Sequence, residues 1–282
     1  MLKVDTTLKS NIMKHAYEIL QNKLVTADTL TVLTINIQAY ITCDANKSCN
    51  EMLKIITGSN ADVICLQEDL EKRMKDTLGS YHLIVTCRGE QKGDTHLMNN
   101  IYIHQSKINQ VQYVTATDIT CGCKTPRCSS IIRINNLTIA NIHLCGGRYD
   151  DTSYDKLIDV KKHEVTKLVN QSKPDLIVGD FNAEATLVDG LKTLSHYELY
   201  NNLPLEDKKK FIDYYISHHL ILSDKGYLPA YTVGQVGVTS VYGGTPDWMY
   251  YQPTKLRVIE CNTINMAKYT DHNAVLVTFS IA

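Results

Sequence analysis

The run Pro174-Asp175-Leu176-Ile177-Val178 stops in Gly179-Asp180-Phe181-Asn182, and this abrupt change from apolar to polar constrains the chain more than any other segment. Apolar positions bounded by Pro and Gly predict a buried strand whose terminal carboxylate and amide emerge together at a sheet rim. Gly, Asp and Asn are also the ordinary residues of turns, so this segment alone describes a turn as readily as a site.

Four other segments repeat the arrangement. Thr31 to Ile35 runs into Asn36, Ala61 to Leu66 into Gln67-Glu68, and Leu137 to Ile142 into His143, while Tyr269-Thr270-Asp271-His272 stands before the apolar run Ala274 to Val277. Five strand-like segments, each with a polar residue at one boundary, line up chemistry-bearing side chains along the edge of a sheet.

Together with Pro246-Asp247-Trp248-Met249, these motifs resemble, in kind and in order, those of the endonuclease/exonuclease/phosphatase superfamily, the fold of deoxyribonuclease I. The matching stretch runs from residue 31 to about residue 280. The resemblance implies an α/β fold, a two-layered β-sandwich flanked by helices in four layers (α/β/β/α). It implies one catalytic domain over residues 1–282, with residues 1–29 as a helical extension packed on it.

The same resemblance carries roles position by position. Glu68 would hold a divalent metal, with Asn36 and Asp271 contributing directly or through water. Asp180 would orient and deprotonate the attacking water beside Asn182, and His272, oriented by Asp247, would donate to a phosphoryl oxygen, with His143 a second donor. Arg127 and Arg148 are candidate phosphate-binding residues, since a guanidinium fork suits a phosphate. The implied cofactor is Mg²⁺, with Mn²⁺ as substitute, because carboxylate oxygens suit hard cations.

Composition agrees with a soluble globule: 282 residues, 44% hydrophobic and 21% charged. A formal net charge of −1 supplies no overall field drawing the chain to a polyanion, so a nucleic-acid substrate requires a local groove. The N-terminus lacks a signal-peptide core and no apolar run reaches membrane-spanning length. With nine cysteines, an odd number, this predicts an intracellular setting, cytoplasm or nucleus. Cys121-Gly122-Cys123 followed by Cys128 is one ligand short of a structural zinc site, so free thiols in a loop are expected there.

Apolar spacing predicts helices over Ile12–Leu24 and Tyr154–Val169, the second capped by Asp150, Asp151, Thr152 or Ser153. Lys208-Lys209-Lys210 opens another with a solvated end, and His218-His219 near its C-terminus is expected at the surface. The Gly- and Tyr-rich stretch from Tyr227 to Pro253 is a candidate substrate wall.

Some positions depart from the superfamily pattern. Gln38 stands where many members carry an acid, Pro246 is not preceded by the usual Arg, and Ala183-Glu184 follows Asn182 where inositol-polyphosphate 5-phosphatases place Tyr-Arg. His143-Leu144 followed by Arg148 resembles a segment of tyrosyl-DNA phosphodiesterases, with Cys145-Gly146 replacing Glu-Ser. The leading expectation is a Mg-dependent phosphodiesterase acting on nucleic acid, a DNA nuclease or DNA-end-processing enzyme. A phosphoinositide or phospholipid headgroup comes second, and a catalytically silent binding scaffold is the reading from another class.

Overall fold

The computed structural model describes residues 28–37, 47–71, 75–121, 126–146, 154–183, 204–241 and 244–282. The expected helix over Ile12–Leu24, the cap residues 150–153, Gln38, Arg148 and Glu184 lie outside them.

Strands dominate, as the β-branched runs require. In chain order they are β1 (Thr29–Asn36), β2 (Val63–Leu70), β3 (Thr77–Leu78), β4 (Tyr81–Lys92), β5 (Thr95–His104), β6 (Val111–Asp118), β7 (Cys128–Ile134), β8 (Leu137–His143), β9 (Leu176–Asp180), β10 (Leu228–Pro229), β11 (Asp247–Tyr251), β12 (Leu256–Ile264) and β13 (Ala274–Ile281). The described helices are α1 (Lys47–Thr57), α2 (Tyr154–Ser172), α3 (Leu205–Asp224) and the single turn α4 (Val233–Val236).

Seven strands form one sheet in the order β12-β13-β1-β2-β5-β4-β3, and six form the other in the order β10-β11-β9-β8-β7-β6. Their inner faces share one core, in which Val32, Cys65 and Val277 of the first sheet join Ile132, Ile139, Val178 and Trp248 of the second. Met52 and Ile56 of α1 close a separate cluster with Leu33, Ile35 and Ile64 on the outer face of the seven-stranded sheet. Val165, Leu168 and Val169 of α2 and Leu222 of α3 join the main core. This is the expected sandwich with flanking helices.

The expected stripe of α2 is present: Leu157, Val165, Leu168 and Val169 are buried and Ile158 is half-buried. Helix α3 begins at Leu205, three residues before the lysine run, with Glu206 and Asp207 in its first turn, where acids favour a helix N-terminus. Two expectations are corrected. His218 is not at the surface: it is fully buried, its ring 5.1 Å from that of Phe181, and its Nε2 meets Tyr250 Oη at 3.1 Å. Burial holds its pKa well below the usual histidine value, and the nearby Lys161 adds to the effect.

Cys128 is not a loop thiol. It is disulfide-bonded to Cys87, with 6.0 Å between the Cα atoms, because β4 and β7 face each other across the sandwich. Cys121 is free, and Cys123 lies outside the described residues. Three tyrosines of the 227–253 stretch are packing residues: Tyr231 stacks on Trp248 with centroids 5.0 Å apart, and Tyr227, Tyr231 and Tyr250 are buried. Among the described residues no helix is long and apolar enough to cross a membrane.

Candidate active site

Strand register builds the site. In the six-stranded sheet His143 of β8 pairs in parallel with Asp180 of β9, and Asp180 pairs antiparallel with Asp247 of β11. Residues opposite one another in neighbouring strands point to the same face, so three polar side chains from distant sequence positions form one row at the rim. In the facing sheet Asn36 of β1 pairs with Gln67 of β2.

Glu68 reaches this row through an irregularity absent from a simple strand reading. Alternation along β2 points Val63, Cys65 and Gln67 inward, which would turn Glu68 outward. The strand does not end at Leu66 as expected; it continues to Leu70 with a bulge against β5 between Leu66 and Asp69, where Glu68 adopts φ 55°. The bulge puts Gln67 and Glu68 on the same inner side, the usual way such a device re-aims a side chain.

Gln67 then fills the interior beneath the site. Its Nε2 donates to Asn141 Oδ1 at 2.6 Å and to Thr34 Oγ1 at 3.0 Å, and Asn141 Nδ2 donates to the carbonyls of Leu66 and Asn100 at 2.9 and 3.0 Å. Both side chains are fully buried, and together they tie the sheets with satisfied hydrogen bonds below Glu68.

Above that floor, Asn36 Nδ2 donates to Glu68 Oε1 at 3.1 Å and to Asp180 Oδ2 at 3.0 Å. His143 Nε2 lies 3.7 Å from each of the same two oxygens. On its far side, Arg127 Nη1 contacts His143 Nδ1 at 3.3 Å. A guanidinium can only donate, so Nδ1 is the acceptor and Nε2 carries the ring hydrogen toward the two carboxylates.

His272 approaches from the opposite flank. Its Nδ1 meets Asp247 Oδ2 at 2.9 Å and Oδ1 at 3.1 Å, while Nε2 lies 3.9 Å from both Asp180 Oδ2 and Asp271 Oδ1. Thr270 Oγ1 donates to the Asn36 carbonyl at 3.0 Å, fastening this loop to the end of β1. Asp247 is fully buried and His272 nearly so.

Burial alone would lower the His272 pKa, but Asp247, with Asp180 and Asp271 behind it, outweighs that and raises it to about 10. Burial pushes the Asp180 carboxyl up to about 6, with Asp247 adding to the rise and His272, Asn36 and the Asn182 amide opposing it. Asp271 is also raised, mainly by burial. The row therefore sets a carboxyl poised near neutrality beside a histidine held as a cation.

A stability consequence follows for the His272–Asp247 pair. The histidine pKa is about 10 folded and about 6.5 unfolded, so its contribution is complete below about pH 6.5 and is lost as pH rises through about 10. Melting temperatures of metal-free protein between pH 6 and 10 should fall more steeply for wild type than for Asp247→Asn. Parallel curves would remove the ion pair from the account.

Asn182, at φ 49°, donates its backbone N–H to Asp180 Oδ1 at 2.7 Å and its Nδ2 to the Leu144 carbonyl at 3.0 Å. Its two amides thus tie the loop after β9 to the Asp180 carboxyl and to the end of β8. Every described candidate from the sequence lies at this rim, Arg127 through its contact with His143, and Arg148 lies outside the described residues.

Three ligand atoms, from Asp180, Asp247 and His272, lie within 4.8 Å of one another, but Asp247 is spent on His272 Nδ1 and Asp180 stands 3.9 Å from Nε2, so that trio is a hydrogen-bonded pair beside a carboxyl rather than a cation cage. The donor set around Asn36 fits a hard cation better: two buried carboxylates, Glu68 and Asp180, converge on one amide, an arrangement of like charges that a divalent ion relieves.

No protein-family model and no curated protein sequence matches the chain. Solved structures do. The human Nocturnin catalytic domain with bound sulfate superposes with a TM-score of 0.62 at 15% identity, over 92% of this chain and 98% of that one. The chain has the endonuclease/exonuclease/phosphatase fold. A protein described by that superfamily name from Beutenbergia cavernae gives a TM-score of 0.62 at 13% identity, covering 90% of this chain and 72% of that one. D. rerio TDP2 complexed with a single-strand DNA product gives 0.58 at 12%, covering 90% and 99%. Within this superfamily fold, two features of the site carry no signal in one-dimensional periodicity, the Glu68 bulge and the contact of Arg127 with His143. Only the pairing of β2 with β5 and of β7 with β8 reveals them.

Proposed function

We propose that the chain is a metal-dependent phosphodiesterase acting on nucleic acid, most simply on DNA strands or DNA ends. The observation that carries this reading is the row His143–Asp180–Asp247 with His272 and Glu68 at its two flanks. Phosphoester hydrolysis needs an activated water and charge stabilisation on the phosphoryl oxygens. Asp180, held near neutrality by burial, takes the proton of the attacking water as the new P–O bond forms and the opposite ester P–O bond breaks, the departing oxygen taking a proton from solvent. His272, kept cationic by Asp247, and His143, presenting its Nε2–H, donate to the phosphoryl oxygens where negative charge grows.

Glu68, Asn36 and Asp271 would hold a Mg²⁺ ion, or Mn²⁺ in its place, whose charge offsets that of the phosphate. Presence of all these groups argues against a silent scaffold, since a binding module has no use for a buried carboxyl–histidine pair. Nucleic acid is favoured as substrate by the DNA product held by one structure of this fold, D. rerio TDP2.

The test uses end-labelled DNA duplexes, undamaged, with an abasic site, or with a 5′-phosphotyrosyl end, each with Mg²⁺ or EDTA. Mg²⁺-dependent cleavage of any of them supports the proposal, and the preferred duplex names the reaction. Absence of cleavage by folded, metal-supplied protein, with hydrolysis of phosphoinositide instead, would reassign the substrate to lipid headgroups.

A further inference from the structure

Lys161 is a lysine in the middle of an amphipathic helix, ordinarily a solvated position, yet here it is fully buried. Its Nζ donates to the Phe181 carbonyl at 3.0 Å and to the Asn182 carbonyl at 2.8 Å, and it stands 4.1 Å from the centroid of the Tyr214 ring. One turn on, on the same face of α2, the buried Glu164 accepts the Cys145 backbone N–H on Oε2 at 3.0 Å, and Tyr214 Oη donates to the Cys145 carbonyl at 2.9 Å. The helix therefore grips the residues just past the ends of both β8 and β9, the strands that carry His143 and Asp180.

We infer that Lys161 is a positioning residue of the active site, its buried ammonium pinning the Phe181 and Asn182 carbonyls so that the Asn182 amide is held against the Asp180 carboxylate. Burying an ammonium is costly unless it is fully hydrogen-bonded, and a leucine or methionine would serve helix packing alone at lower cost. What the cation secures is the loop after β9. Asn182 sits at φ 49°, in the left-handed region that asparagine enters more readily than other side-chain-bearing residues, so its orientation is set by the bonds around it.

Those surroundings leave no slack. The Asp180 carbonyl accepts from the Leu144 N–H at 2.9 Å, and the Ala183 carbonyl takes Trp248 Nε1 at 2.9 Å. Between them, the carbonyls of Phe181 and Asn182 both go to Lys161. A Cβ on Gly146 would stand 3.0 Å from Asn182 Oδ1, so the neighbouring loop closes the remaining side. Released from Lys161, the 181–182 peptide is free to rotate, and the 2.7 Å bond from the Asn182 N–H to Asp180 Oδ1 loses its anchor. That bond orients the carboxylate, so the consequence falls on turnover rather than on substrate capture.

The catalytic part of this inference rests on the phosphodiesterase reading, whereas the clamp itself is a statement of geometry. Lys161→Met, Lys161→Arg and Lys161→Gln are compared with wild type in two experiments. Hydrogen–deuterium exchange on metal-free protein reads the Asn182 amide directly. In Lys161→Met it should exchange about tenfold or more faster, with exchange across β7 and β8 unchanged, and Lys161→Arg should restore part of the protection.

Steady-state kinetics on bis(p-nitrophenyl) phosphate with Mg²⁺ should show kcat lower by about 10- to 100-fold in Lys161→Met with KM within about threefold of wild type, because small misplacements of a catalytic group cost rates of that order. Should Lys161→Met fail to fold, Lys161→Gln, which keeps a donor for one carbonyl, is read in its place and should fall between wild type and that expectation. Unchanged exchange at Asn182 in a folded variant overturns the clamp, and a lowered kcat that arginine does not partly rescue, or a change confined to KM, overturns the positioning role. Wild type without phosphodiesterase activity would count against the proposed function alone, since the exchange measurement stands without it.

Discussion

Asp180→Asn should lower phosphodiester turnover by about 10²- to 10⁴-fold, the range lost when a positioned general base is removed, while the protein stays folded. The substitution keeps the size of the side chain and an oxygen for the Asn182 N–H, while the β9 end loses its ability to take up a proton and the acceptor that Oδ2 offers Asn36 Nδ2. It also removes one of the negative charges that hold His272 cationic, a smaller effect than that of Asp247, which contacts Nδ1 directly. Single-turnover rates with saturating substrate, together with circular dichroism at equal concentration, check the prediction. Turnover within about threefold of wild type would exclude Asp180 as the base and leave the row without its central member.

Gly179→Ala should be the most damaging substitution for stability among the residues that frame the site. Gly179 has φ 139°, and a Cβ there would stand 1.9 Å from the carbonyl oxygen of Ile142 and 2.9 Å from its carbon. The obstacle is the backbone of β8, which cannot swing aside as a side chain does, so the β8–β9 ladder must open. A cost of at least about 3 kcal/mol is expected, which for a chain of this size lowers the melting temperature by about 6–12 °C. Gly93→Ala is the control: it has φ 61° but nothing within 4 Å of the added Cβ, so only about 1 kcal/mol of backbone strain is at stake. Equal melting temperatures for the two variants would mean that β8 and β9 are less closely joined than their register indicates.

The strand ends were legible because apolar runs and their polar terminators are local signals. Asn36, His143 and Asp180 sit where those runs stop and Asp271 and His272 stand before one begins, whereas Asp247, the first residue of β11, came only through the superfamily motif; pairing sets His143, Asp180 and Asp247 side by side. The residues that were not legible depend on partners far away in sequence. Glu68 faces the site only because β2 bulges against β5, and a bulge is a property of two strands. Lys161 looks like any surface lysine until the 181–182 carbonyls are placed over it. His218 follows the same logic: a polar pair near a helix end suggests exposure, but α3 lies on the sheet and turns that residue toward Phe181 and Tyr250. Cys87 and Cys128 are 41 residues apart, and nothing in either segment announces the other.

The strand order of the larger sheet has a consequence for how the chain comes off the ribosome. The six-stranded sheet is drawn from residues 111–251 and can pair as it emerges, but β1 lies between β2 and β13, its residues 29–34 matched to 275–280. A nascent chain that has reached residue 272 already contains every side chain of the site, yet β1 still has one bare edge, and Asn36 and Glu68 hang from a sheet without its final strand. Such an edge is open to mispairing until β13, residues 274–281, arrives. The sheet that carries Asn36 and Glu68 is thus completed in a single step, when β13 enters between β12 and β1.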